Sequence, residues 1–204
     1  FASNRDSLSR LFDHIIVLME ENRSFDHLLG WSKQLGVDGL TGFESNPVST
    51  LEANSPRIFV DGDAPYIAPI DPDHSTYATT SKIFGMRQLL EKNYTETMDG
   101  FVEWQHILGN GNDTRFGRVM SMFTPERLPV LNQLASEFAV MDRFFASVPG
   151  CTWPNRQFFL SGTAGGNTET FFWYNGTPGA LYPQRTIFDQ LMDEGFTWKN
   201  YYAD

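Results

Sequence analysis

HIIVLMEENRSFDHLLGW, residues His14–Trp31, begins as an apolar run and ends in a dense polar cluster: Glu20, Glu21, Asn22, Arg23, Ser24, Asp26 and His27. β-Branched and leucine side chains on both faces of His14–Met19 predict a strand covered on both sides, as in the centre of a parallel sheet. Ligands of parallel α/β sheets bind at the carboxyl ends of strands, and Glu21 and Asn22 stand at that end. A carboxylate beside an amide oxygen is a hard donor pair suited to a divalent cation. Glu20 points the other way if the strand pattern persists. The same residues can also form a turn and cap a helix, with Ser24 or Asp26 as the N-cap. The pattern alone leaves both readings open.

Outward from this stretch, strand and helix patterns alternate. Residues 38–72 are rich in Gly, Pro, Asn, Ser and Asp and read as a long loop region with a strand at RIFV. SKIFGMRQLLEKNY and PVLNQLASEF have helical spacing, and AVMDRFFAS returns to a strand-like run. VPGCTWPNRQFFLSGTAGG joins a Pro/Gly loop to a helix from Pro154, and QRTIFDQLMDEGFTWKNYYAD reads as helix, Gly195 stop and strand. This alternation predicts an α/β fold with a mostly parallel sheet.

The chain of 204 residues is 41% hydrophobic, enough for one domain with a core. With 15 Lys and Arg against 25 Asp and Glu, the formal net charge is −10. That argues against non-specific nucleic-acid binding and against simple docking on anionic lipid. A basic pocket on an acidic protein is still compatible with a lipid substrate. Eighteen Phe, seven Tyr and five Trp serve either as core or as an apolar mouth for a greasy substrate. Cys151 is the single cysteine, so no internal disulfide forms. No apolar span reaches the roughly 20 residues a transmembrane helix needs. Sequons at Asn93, Asn112 and Asn175 make secretion the leading expectation, with cytoplasmic and membrane-peripheral locations left open.

Two more constellations carry chemistry. In PGCTWPNR, Thr152 precedes a proline in the first turn of a predicted helix, where backbone N–H groups and the dipole favour an anion. A hydroxyl there can attack phosphorus if a metal lowers its pKa, or it can be a plain N-cap. Arg156 can fork onto phosphate or carboxylate. Cys151, with no Cys–His pattern around it, reads as a packed thiol. In DPDHS, His74 could protonate a leaving group or touch phosphate, or be an ordinary loop histidine.

Together HIIVLMEENRSFDHLLGW, DPDHS, MDGFV, FAVMDRFFASVPGCTWPNR and YPQRTIFDQL, in this order from about Phe12 onward, resemble the phosphoesterase family of plant and bacterial non-specific phospholipases C and bacterial acid phosphatases. ENRSFDH followed much later by TWPNR is the specific pairing. ESNPVS and YPQRTIF are most similar to the plant-type phospholipase branch.

The resemblance implies an alkaline-phosphatase-like α/β/α sandwich, with residues 1–204 as the N-terminal part of a single catalytic domain whose C-terminal part is absent. It implies Glu21, Asn22 and Thr152 as ligands of a divalent metal ion, and Thr152 as the nucleophile. Asn155 and Arg156 would hold the nucleophile loop, with Arg156 paired to a carboxylate, and His74 would lie near the phosphate. A buried, metal-bound Asn22 would rule out the further sequon NRS. The family completes its metal site with a downstream aspartate pair and further histidines that this sequence does not contain. The stretch is therefore expected to bind metal poorly and to be inactive alone. The implied activity is phospholipase C hydrolysis of phospholipid to diacylglycerol and a phosphorylated headgroup, with transient membrane-surface contact. The rivals are an acid phosphatase acting on phosphomonoesters and a non-catalytic remnant that binds lipid or a partner.

Overall fold

Between Gly39 and Met122 the chain builds its core from a short hairpin and a helix. A computed structural model describes residues 12–21, 23–111, 114–170, 173–174, 177–178 and 182–202. Strand β1 (Ser45–Pro47) pairs antiparallel with β2 (Arg57–Phe59), with Asn46 opposite Ile58. RIFV thus forms the expected strand, but its partner comes from the segment read as loop. Leu40, Val60, Val102, Met120 and Met122 form the buried cluster, with Trp31, Val48, Ile58, Phe116 and Val119 packed against it.

Six helices are described: α1 (Phe25–Leu29), α2 (Thr76–Glu91), α3 (Phe101–Leu108), α4 (Pro129–Glu137), α5 (Thr152–Ser161) and α6 (Ile187–Asp193). Ser24 caps α1 by accepting the His27 N–H at 3.1 Å, which resolves the choice between Ser24 and Asp26. Ser75 caps α2 by accepting from the Ala78 N–H. Helix α2 is broken at Gly85, whose φ of 71° lies in the left-handed region. The amides this break releases are satisfied across the packing interface: Met86 N–H donates to Glu103 Oε2 at 3.0 Å and Arg87 N–H to Thr50 Oγ1 at 3.0 Å. Glu103, on α3, is 3% exposed and also accepts from Thr50 N at 2.8 Å and Thr50 Oγ1 at 2.8 Å. A buried carboxylate with this many donors is a tolerable core residue. Ser32 donates to Asn132 Oδ1, tying the segment after α1 to α4.

Three strand expectations fail. Residues 14–19 carry no regular secondary structure and form no ladder among the described residues, and Ile15 and Ile16 are 85% and 90% exposed. Residues 139–147 and 196–202 likewise carry no strand. An apolar run becomes a strand only when neighbours supply both its hydrogen-bond partners and its cover. The described sheets are two antiparallel pairs, β1–β2 and β3–β4 (Trp173–Tyr174 with Thr177–Pro178), and parallel pairing among these residues is limited to the isolated bridge between Asp61 and Ser121. No helix among them is long and apolar enough to cross a membrane.

Candidate functional site

Helix α5 organises the region singled out by TWPNR. It opens at Thr152, two positions before Pro154, with Cys151 as its N-cap. Pro154 sits in the first turn, where amides have no intrahelical acceptor, so its missing N–H leaves no gap. Thr152 is half-buried, and its hydroxyl makes no hydrogen bond among the described residues. It is the first helical residue rather than the cap, so the plain N-cap reading does not describe it.

Asn155 holds the loop before the helix from both ends of its amide. Its Oδ1 accepts from Ser147 N at 2.9 Å and Val148 N at 3.1 Å. Its Nδ2 donates to the carbonyls of Cys151 at 2.9 Å, Val148 at 3.2 Å and Gly150 at 3.3 Å. One side chain therefore fastens residues 147–151 onto the helix that follows.

One turn in from Thr152, Arg156 reaches back to the opening stretch. Its Nη2 lies 3.0 Å from Glu21 Oε1 and its Nε donates to Oε2 at 3.3 Å. This two-pronged pair joins segments far apart in sequence and brings Glu21 beside the Thr152 helix. Asn22 lies outside the described residues.

His74 arrives by its backbone. Its carbonyl accepts from Cys151 Sγ at 3.5 Å, while its exposed ring places Nδ1 3.2 Å from the Pro72 carbonyl. The same segment is fixed by Lys82, a buried lysine of α2 that donates to the Asp73 carbonyl. Desolvation lowers the Lys82 pKa, and the charges of Asp73 and Asp71 oppose that shift. Next to His74, Thr76 Oγ1 donates to the Thr168 carbonyl at 2.7 Å. A Cβ on Gly150 would stand 2.7 Å from that hydroxyl oxygen, so glycine permits the close approach of the two loops.

The structure thus gathers Glu21, Thr152, Asn155, Arg156 and the His74 backbone at one end of α5. Sequence reading missed Lys82, Glu169 and Thr170, none of which lies in a recognisable pattern. Cys151 is buried, as read from the sequence; burial and then the hydrogen bond to Glu169 push its thiol pKa up.

Of the expected metal ligands Glu21, Asn22 and Thr152, the described residues include Glu21 and Thr152. Among the described residues no three His, Cys, Asp or Glu side chains converge on one point, and Glu21 is engaged by a guanidinium.

The model of the Phosphoesterase family matches residues 12–204. Non-specific phospholipase C3 of Arabidopsis thaliana is 41% identical over 195 residues, which cover 92% of this chain and 36% of that protein. Non-specific phospholipase C1 of the same plant is 42% identical over 194 residues, 93% of this chain and 34% of the relative. The non-hemolytic phospholipase C of Burkholderia pseudomallei (strain K96243) is 28% identical over 212 residues, 98% of this chain and 27% of the relative. The chain spans about a third of the length of its plant relatives. With a family match across residues 12–204 and plant relatives at 41% and 42% identity, the chain belongs to the Phosphoesterase family.

Proposed function

We propose that the protein containing this chain is a phospholipase C with Thr152 as its nucleophile. The observation that carries the reading is the Arg156–Glu21 pair, which seats the ENRSFDH segment beside a half-buried, uncommitted hydroxyl at a helix N-terminus. The names of the plant and bacterial relatives supply the substrate class.

In the proposed reaction the Thr152 oxygen attacks phosphorus and loses its proton to water. The bond to the diacylglycerol oxygen breaks, and that oxygen takes a proton, for which His74 is the assigned donor. Water then cleaves the phospho-threonyl ester and releases the phosphorylated headgroup. The first-turn amides and dipole of α5, a helix of 10 residues, favour the anion that develops at phosphorus. Asn155 keeps the attacking hydroxyl in register by fixing the loop behind it.

For the fold we propose the alkaline-phosphatase-like sandwich. Family membership supports it. An exposed Asn93 sequon supports a secreted location, while Asn112 and Asn175 lie outside the described residues.

The test is hydrolysis of phosphatidylcholine by the intact protein, with diacylglycerol and phosphocholine both quantified beside Thr152→Ala. Phosphocholine release that disappears in a folded Thr152→Ala variant supports the reading. Turnover of a simple phosphomonoester without lipid hydrolysis transfers the protein to the phosphatase reading. Turnover of neither leaves a non-catalytic lipid- or partner-binding protein.

A further inference from the structure

We propose that Glu169 is a positioning residue for Thr152: its carboxylate holds the Cys151 thiol and so fixes the residue from which the Thr152 helix starts. The proposal rests on the reading of Thr152 as nucleophile.

The geometry is local and complete. Cys151 immediately precedes Thr152 and is 6% exposed. Its Sγ donates to Glu169 Oε2 at 3.0 Å, with the His74 carbonyl as a second acceptor at 3.5 Å. A thiol is a weak donor, and it donates best to an ionised acceptor. The turn carrying Glu169 makes two further attachments. Thr170 Oγ1 accepts the N–H of Trp153, a first-turn amide with no intrahelical acceptor, at 3.4 Å. The Thr168 carbonyl accepts from Thr76 Oγ1 at 2.7 Å. The turn is itself braced, because Glu169 N–H donates to Asn167 Oδ1 at 3.2 Å and Asn167 Nδ2 reaches Gln157 of α5 at 3.4 Å.

Residues 167–170 therefore strap the start of α5. Asn155 and the strap both hold Cys151, one by its carbonyl and the other by its thiol, and Thr170 of the strap also holds the Trp153 amide that follows Thr152. Through Thr76 and the His74 carbonyl the same strap ties the proposed acid's segment to the nucleophile's. A reacting oxygen displaced by about 1 Å can lose on the order of a hundredfold in rate. The strap is thus placed to affect chemistry without touching substrate.

The test compares Glu169→Ala, Glu169→Gln, Cys151→Ala and Cys151→Ser in the intact protein. Two readouts are taken: kcat and KM on phosphatidylcholine, and hydrogen exchange of the amides in residues 147–155. Glu169→Ala and Cys151→Ala are expected to lower kcat about tenfold with KM within about twofold, and to speed exchange in residues 147–155. Glu169→Gln keeps an oxygen acceptor and Cys151→Ser keeps a donor, so each is expected to recover most of both readouts. A Glu169→Ala variant with wild-type kcat and exchange overturns the proposal. So does a Glu169→Gln variant as impaired in kcat as Glu169→Ala but with wild-type exchange, because the charge would then act directly. If the wild-type protein hydrolyses no phosphate ester, the functional reading fails, and exchange alone decides the strap: faster and rescued supports it, unchanged overturns it.

Discussion

The guanidinium of Arg156 grips the carboxylate of Glu21 through two contacts, 3.0 and 3.3 Å long, across 135 positions of sequence. Both side chains are partly exposed, at 47% and 36%. Exposed pairs contribute little to stability, typically about 0–1 kcal/mol. The pair's value is geometric, since a planar fork sets the carboxylate's orientation as well as its distance. Arg156→Ala in the intact protein is therefore expected to shift unfolding free energy by about 1 kcal/mol or less while lowering turnover at least tenfold. Arg156→Lys keeps the charge but loses the fork, and should fall between the two. An Arg156→Ala protein with full turnover would show that Glu21 needs no such orientation.

Asn155 gives the sharpest test of the loop before Thr152. Its amide serves two N–H donors and three carbonyl acceptors. Asn155→Ala leaves the groups of Val148, Gly150 and Cys151, which are partly or fully buried, without this partner, which predicts a loss of about 1–3 kcal/mol by denaturant unfolding. Asn155→Asp keeps the acceptor but turns a carboxylate towards three carbonyl oxygens, so it should be at least as damaging. If Asn155→Asp were the milder variant, the donor contacts would have little weight.

The sequence carried the site further than it carried the fold. TWPNR and ENRSFDH flag their residues by local pattern, which narrowed the α1 cap to Ser24 or Asp26. The roles of Asn155 and Arg156 came from the family resemblance, and spacing does not name Glu21 as the partner of Arg156 across 135 positions. The start of α5 was read two residues late because Pro154 marks a first turn without fixing which position it occupies. His14–Met19 was misread as a covered strand because apolar pattern reports what a segment needs, not whether a neighbour provides it. The Glu103 and Glu169 contacts were invisible. Glu103 meets Thr50 across 53 positions and Glu169 meets Cys151 across 18, and no local spacing encodes such encounters. The parallel sheet rested on the misread strands and has no ladder among the described residues.

Gly85 offers a separate test of the frame that carries the His74 segment. Its φ of 71° is strained for any side chain, and a Cβ would lie 2.9 Å from both Asp99 Oδ1 and Thr50 Cγ2. Straightening the helix instead would withdraw the Met86 and Arg87 amides from Glu103 and Thr50. Gly85→Ala is therefore expected to destabilise by about 2–3 kcal/mol, read by thermal or denaturant unfolding. An unchanged or raised midpoint would mean that α2 runs straight in solution.

Glu44 should give the chain a distinct acid-side signature. Burial pushes its pKa up, but hydrogen bonds from the Thr41 hydroxyl, Thr41 N–H and Gly42 N–H outweigh it and hold the carboxyl at about 2. The folded value lies below the ordinary 4.5, so the unfolded state binds the proton more readily. The stabilisation is then fully present above pH 4.5 and is lost as pH falls towards 2. Glu44 is half-buried with solvent still at hand, so screening limits its contribution to about 1 kcal/mol. Glu44→Gln cannot titrate, and subtracting its unfolding free energy from the wild-type value cancels the other acidic groups. That difference is expected to be flat from pH 7 to 5 and to shrink by about 1 kcal/mol between pH 4.5 and 2. A difference that stayed constant through this window, or grew on acidification, would show that the Thr41–Glu44 clasp does not favour the ionised form.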